Sequence, residues 1–308
     1  MLGPFINPPF DLHISPFMSI EKSDSDKRRI IVDLSWPKGF SVNDAVEQDS
    51  YLGTNFALTL PTIDHVIKSV LKFGRGSYIA KIDISRAFKH LPIDPKDVHY
   101  LGLHWGAYYL ESSLVFGYKH GSKFYQRLLD SVRYIMAQEG YHILNYIDDH
   151  VIFGQKRDCQ KAFDRLSQLH PELGLTISQH KNVNPSKRVI CLGILVDTDK
   201  FTLEIPAKKF AEIKSSVHFW SHKTKCSKTQ LQSLLGSLLY VSKCVQYSRF
   251  FLNRLLQLLR DNYQHKIINL TENAQRDIQS FKSFCLYLMA NLSLSKINFM
   301  KKYTWMPA

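Results

Sequence analysis

Residues 145–153 read NYIDDHVIF. Two adjacent carboxylates, Asp148 and Asp149, sit between apolar flanks, YHILNYI upstream and HVIFG downstream. Isoleucine, valine, tyrosine and phenylalanine favour a pleated, half-buried surface, so both flanks are predicted strands. The plain explanation of the pair is a hairpin turn, because aspartate tolerates turn conformations. The chemical explanation is a site for divalent cations, which cancel the repulsion between like charges. The two are compatible, since a tight turn projects both side chains at one edge of a sheet.

A third carboxylate bears on the choice. YIAKIDI (78–84) alternates and reads as a strand on which Lys81 and Asp83 share a face opposite Ile82 and Ile84. If this strand neighbours the hairpin, three carboxylates converge at one sheet edge, a donor set suited to two-metal phosphoryl transfer. The charge balance agrees. Forty Lys and Arg against 27 Asp and Glu leave a net +13, which points to a polyanionic partner, nucleic acid being the commonest.

Hydrophobic content of 44% and charged content of 22% are those of a folded chain, and 308 residues can bury a substantial core. The five cysteines, Cys159, Cys191, Cys226, Cys244 and Cys285, are odd in number and form no CxxC. That argues against a disulfide framework or a zinc site and fits a reducing, intracellular compartment, cytoplasm or nucleus. No apolar run of about 18 residues predicts a membrane span. The start, MLGPFINPPFDLH, lacks the basic-then-apolar order of a secretory signal.

Along the chain, 1–27 reads as an extended lead-in and RRIIVDL (28–34) as a strand. A helix is expected after Pro61, capped by Thr62 and stopped by Gly74. Residues 98–112 read as a hairpin around Gly106, 119–139 as a long helix and 157–170 as another, with Cys159, Phe163, Leu166 and Leu169 at core spacing. VICLGIL (189–195) and FTLEI (201–205) are expected to pair as a hairpin. After Pro206 the chain turns helical, with a Ser227–Gln230 capping box before Leu231, Leu234, Leu235, Leu238 and Leu239. The fold class is α+β, with a helical C-terminal region.

In order, IAKIDISRAFKHLPI, LVFGYKHGSKFYQ and NYIDDHVIFG resemble the three core palm motifs of reverse transcriptases. Within these, RRIIVDLSWPKGFSVND, GRGSYIAKIDI and LGLHWGAYYLE are similar to stretches of retrotransposons of the tyrosine-recombinase, DIRS-like group. The resemblance runs from about Gly3 to Arg260. It implies a right-hand polymerase fold: lead-in and fingers in 1–77, palm in 78–205 with an inserted fingers segment at about 92–118, helical thumb in 206–260. It implies that Asp83 and Asp148 ligate two Mg²⁺ ions, with Asp149 in support and Mn²⁺ able to substitute. Phe88 matches the steric gate that excludes a 2′-hydroxyl. Arg29, and more loosely Lys22, match fingers cations that grip the dNTP triphosphate. Phe116 and Gly117 match the motif lying over nucleotide and template, Lys181 the lysine proposed to protonate pyrophosphate, and Leu192 and Gly193 the primer grip. The implied partners are an RNA or DNA template with its primer, and no membrane.

The chain departs from the family pattern at three places. Leu114-Val115 stands where Leu-Pro is usual, Ser122 where proline is usual and Tyr125 where phenylalanine is usual. None removes a carboxylate. Residues 261–308 resemble the start of the connection toward an RNase H, and no RNase H, protease, integrase or recombinase pattern is recognisable. The expectation is that such domains stood on the same polyprotein and were lost, or that the chain is a fragment of a longer reading frame. The alternative reading is a catalytically silent, decayed copy that only binds nucleic acid.

Overall fold

A computed structural model describes residues 1–22, 25–244, 248–262, 264–291 and 297–298. In chain order the elements are β1 (Leu2–Phe5), β2 (Phe17–Lys22), β3 (Ser25–Val32), β4 (Ser50–Tyr51), β5 (Thr54–Asn55), α1 (Ile63–Phe73) and β6 (Tyr78–Asp83). Then come β7 (Gly102–His104), β8 (Tyr108–Leu110), α2 (Gly121–Gln138), β9 (His142–Tyr146), β10 (Asp149–Gly154) and α3 (Lys156–Glu172). The remainder is β11 (Val183–Ser186), β12 (Arg188–Cys191), β13 (Ile194–Asp197), β14 (Thr202–Glu204), α4 (Ala207–Trp220), β15 (Lys225–Ser227), α5 (Lys228–Cys244), α6 (Asn253–Asp261), β16 (Ile267–Asn269), α7 (Glu272–Asn291) and β17 (Ile297–Asn298).

The chain forms two compact units. The first comprises 1–61, 80–152 and 157–184. Its central sheet has the order β11-β6-β10-β9, so the strand carrying Asp83 lies beside the strand that Asp149 opens. The alternation in β6 is realised: Ala80 and Ile82 are fully buried, while Lys81 and Asp83 are half-buried on the other face. Helix α2 presents Tyr125, Leu129, Val132 and Met136 to the core at helical spacing, and α3 presents Cys159, Ala162, Leu166 and Leu169. Burial of these two stripes is what holds the helices, since their mean polarity gives them little reason to persist alone.

The N-terminal residues are more than a lead-in. Strand β1 pairs with β8 (Leu2↔Leu110, Phe5↔Tyr108), and β2 forms a hairpin with β3 (Ile20↔Arg29). Val32, Leu34, Leu101, Leu103 and Val115 make a small core there, with Phe17 and Tyr118 packed against it.

The second unit comprises 62–79, 153–156 and 185–308. Helix α1 begins after Thr62 and ends at Gly74, whose φ of +84 and bond to the Val70 carbonyl close it as expected. The capping box of α5 is present: Ser227 N–H donates to Gln230 Oε1 at 3.0 Å, and Gln230 N–H to Ser227 Oγ at 3.2 Å. Leu231, Leu234, Leu235 and Leu238 are buried, whereas Leu239 turns outward. VICLGIL is not one strand. It breaks at Leu192 and Gly193, with φ of +49 and +82, into β12 and β13, paired Cys191↔Ile194. Two consecutive left-handed residues make a tight turn whose twist suits a two-residue hairpin. β13 then pairs with β14, so the expected hairpin exists as the second half of a meander.

Candidate active site

The site begins at the ends of neighbouring strands in the first unit. Just past β6, the Ile84 N–H donates to the Asp148 carbonyl at 2.9 Å. The Asp83 carbonyl accepts from Ser178 N–H at 2.7 Å, and its own N–H donates to Asn182 Oδ1 at 3.1 Å. These bonds fix the backbone of both aspartates at one edge. The Asp148 carboxyl is pushed up to about 6, first by burial and then by the charges of Asp83 and Asp149, against the pull of Arg29 and Lys181. Asp149 points at Lys81, whose ammonium lies 3.1 Å from its Oδ2.

Among the described residues no three His, Cys, Asp or Glu side chains already form a cage for a metal ion. The chemistry still suits a hard divalent cation: the donors are carboxylate oxygens, and Asp148 carries a repulsion that a cation would relieve.

The turn itself is held from behind. Ile147 has φ +49, a costly conformation for a β-branched residue. Its N–H donates to Gln126 Oε1 at 3.0 Å, while Gln126 Nε2 reaches the Asn145 carbonyl at 3.3 Å, so one buried side chain of α2 ties the end of β9 to the first residue of the turn. Asn145 Oδ1 lies 2.6 Å from His150 Nδ1, and His150 Nε2 lies 3.0 Å from His170 Nε2 on α3. Burial pushes both imidazoles below their ordinary range. Gln126→Ala strands the Ile147 N–H and releases the turn. The expected result is a loss of about 1–3 kcal/mol in urea unfolding, and unchanged unfolding would refute the bridge.

Beside the aspartates lies an aromatic wall. Phe88, 8% exposed in a 3-10 turn (Ala87–His90), stands 4.8 Å from the Phe116 ring and 5.7 Å from Tyr125. The Arg29 guanidinium lies over the Phe116 ring, 4.9 Å from its centroid. Gly117, at φ +113, is forced: a Cβ there would sit 2.0 Å from the Val32 carbonyl oxygen. Asn43 Nδ2 donates to the Gly117 carbonyl at 2.8 Å and ties this loop to the 33–44 segment. The Tyr125 hydroxyl is buried with no hydrogen-bond partner among the described residues, so the departure from phenylalanine introduces a polar atom that the packing leaves unserved.

The structure therefore brings Asp83, Asp148, Asp149, Arg29, Phe88, Phe116 and Gly117 into one unit. Lys181, exposed at the end of a 3-10 turn, acts electrostatically on Asp148. Lys22 ends β2, and its side chain falls outside the described part. Leu192 and Gly193 belong to the second unit, where the Tyr240 hydroxyl of α5 donates to the Gly193 carbonyl at 2.6 Å. Sequence reasoning missed Gln126 and Asn145. Their one signal was a polar residue at a buried helix or strand position, where such a group requires a partner.

A family model described as reverse transcriptase (RNA-dependent DNA polymerase) matches residues 20–196, more than half of the chain. A search of the curated proteins finds no match. Among solved structures, a foamy viral protease-reverse transcriptase in complex with double-stranded DNA superposes with a TM-score of 0.66 at 18% identity, covering 88% of this chain and 43% of that one. A foamy viral protease-reverse transcriptase bound to an RNA/DNA hybrid gives 0.64 at 17% identity, covering 88% and 33%. The chain thus spans less than half of either protein. These likenesses carry the fold, α+β of the right-hand polymerase class, as the sequence resemblance implied. With the family model matched across the aspartate-bearing strands, the chain belongs to the reverse transcriptase (RNA-dependent DNA polymerase) family.

Proposed function

We propose that the chain is an RNA-directed DNA polymerase that extends a primer on a nucleic-acid template with dNTPs, and that it derives from a DIRS-like retrotransposon. The observation that carries the activity is the placement of Asp83 and Asp148 at adjacent strand ends, with Asp148 half-buried among like charges. Asp83 and Asp148, supported by Asp149, would hold divalent magnesium, or manganese in its place. When bound, the metal lowers the pKa of an attacking hydroxyl and neutralises phosphate charge.

The remaining residues bind and orient. Arg29, held on Phe116, offers a planar fork to a triphosphate, and Lys22 would add a second cation. Phe88 is wedged between Phe116 and Tyr125, so its ring cannot swing aside to admit a 2′-hydroxyl. Lys181 would supply a proton to departing pyrophosphate. Leu192 and Gly193 would position the primer end. We assign fingers to 1–77 and the 92–118 insertion, palm to 78–205, thumb to 206–260 and the start of a connection to 261–308. Lys208, Lys209, Lys214, Lys223, Lys225, Lys228, Lys243, Arg249, Arg254 and Arg260 would meet backbone phosphates, which makes binding fall steeply with salt. The foamy viral structures solved with DNA and with an RNA/DNA hybrid support this choice of partner.

Primer extension on an RNA template with Mg²⁺ tests the reading. Extension is expected. Tight, salt-sensitive binding of the primer-template without extension would favour the silent copy. The steric gate has its own check: Phe88→Val should raise incorporation of rNTPs relative to dNTPs by at least about tenfold. An unchanged ratio would remove Phe88 from that role.

A further inference from the structure

The ion pair between Lys81 and Asp149 belongs to none of the roles above. Lys81 Nζ lies 3.1 Å from Asp149 Oδ2, and the two side chains are only 18% and 29% exposed. Strand pleating puts Lys81 on the same face as Asp83, two residues away, and β6 lies directly beside β10. The lysine therefore sits one pleat back from the metal-facing carboxylates, opposite the second aspartate of NYIDD. Three carboxylates crowd this edge, and one of them already has a counter-ion of its own.

On the polymerase reading, we propose that Lys81 is a positioning residue for nucleotidyl transfer: its ion pair with Asp149 holds that carboxylate back, leaving Asp83 and Asp148 as the pair open to divalent cations. The adjacent aspartates then differ in role because only one has a lysine across the strand. Without Lys81, Asp149 is free to turn toward its neighbours and the edge carries one more uncompensated negative charge. A cation would then bind more tightly but in a competing arrangement, and chemistry would slow. Loss of fold, by contrast, weakens binding and activity together.

The test uses the full 308-residue chain and Mn²⁺ as the probe. Mn²⁺ binding is measured without nucleic acid, by calorimetry or electron paramagnetic resonance, for wild type, Lys81→Met, Lys81→Arg, Asp149→Asn and the Lys81→Met/Asp149→Asn double variant. Single-nucleotide kcat and dNTP KM are measured on the same proteins. Outer partners of metal ligands typically cost about 10–100-fold in affinity or activity when removed. Lys81→Met is expected to lower kcat by about that factor, to leave dNTP KM within about twofold, and to tighten Mn²⁺ binding. Lys81→Arg should restore both, because it keeps the charge. The double variant should match Asp149→Asn alone, since Lys81 acts only through that carboxylate. Additive losses in the double variant, or Mn²⁺ affinity that Lys81→Met leaves unchanged or weakens, would overturn the proposal. If wild type binds Mn²⁺ yet extends no primer, the polymerase reading fails, and the Mn²⁺ comparison still decides the ion pair.

Discussion

Asp148→Asn should abolish primer extension and make the metal-free protein more stable. The two effects have one origin. Asp148 is held half-buried at a strand end, where partial burial and the charges of Asp83 and Asp149 push its carboxyl up to about 6. A carboxylate raised in this way binds its proton more tightly folded than unfolded. Native stability is then fullest below the unfolded value of 3.8 and falls as pH rises through about 6. At pH 7.5 the wild type carries the full penalty. Because the group is only half-buried, the penalty is discounted for solvent screening to about 1–2 kcal/mol. Asparagine removes the charge and keeps the shape. The variant should melt about 2–4 °C higher per kcal/mol recovered at pH 7.5, with the gap closing near pH 4, where the wild-type acid is already protonated. Activity is expected to move the other way, down at least about a thousandfold, if Asp148 is the metal ligand proposed above. Magnesium should raise the melting temperature of the wild type and narrow the gap. A variant that melts lower than wild type at pH 7.5 would show that Asp148 is not under charge stress.

How far this site was legible follows from how local each signal was. Helix α1 was bounded correctly from Thr62 and Gly74 because capping is decided within a few residues. The alternation of Lys81 and Asp83 against Ile82 and Ile84 gave the faces of β6 for the same reason. That β6 lies beside β10 could not come from spacing, since strand pairing depends on distant parts of the chain; the order of motifs supplied it by resemblance. The break in VICLGIL was missed because Leu192 is an unfavourable residue for a left-handed turn, which left Gly193 as the one mark of a turn in an apolar run. Gln126 was missed because its partners at the turn are backbone groups of Asn145 and Ile147, which sequence cannot place. Local rules thus found the elements, and the polar groups joining them became visible only in three dimensions.

Gly117→Ala should disable the site more completely than its one added carbon suggests. The Cβ would be built 2.0 Å from the Val32 carbonyl oxygen, a rigid backbone atom, at a φ of +113 that side chains rarely adopt. Neither partner can yield alone. Val32 ends the strand that carries Arg29, and its N–H donates to the Phe116 carbonyl at 3.3 Å. The Gly117 carbonyl is held by Asn43 at 2.8 Å. Relief therefore requires β3 and the 116–117 loop to separate, which pulls Arg29 from its place over Phe116. Strain and overpacking together predict a stability loss of roughly 2–4 kcal/mol. Displacement of Arg29, the proposed triphosphate grip, predicts a fall of about a hundredfold in kcat/KM for dNTPs. Gly140→Ala is the matched control: φ is +85 at the end of α2, and its added Cβ would meet nothing within 4 Å. It should cost about 1 kcal/mol from backbone strain alone and leave the kinetics unchanged. Equal effects in the two variants would mean that left-handed backbone, and not the close approach to Val32, is what glycine supplies at 117. A large kinetic loss confined to Gly117→Ala would tie the loop, through Val32 and Arg29, to nucleotide binding.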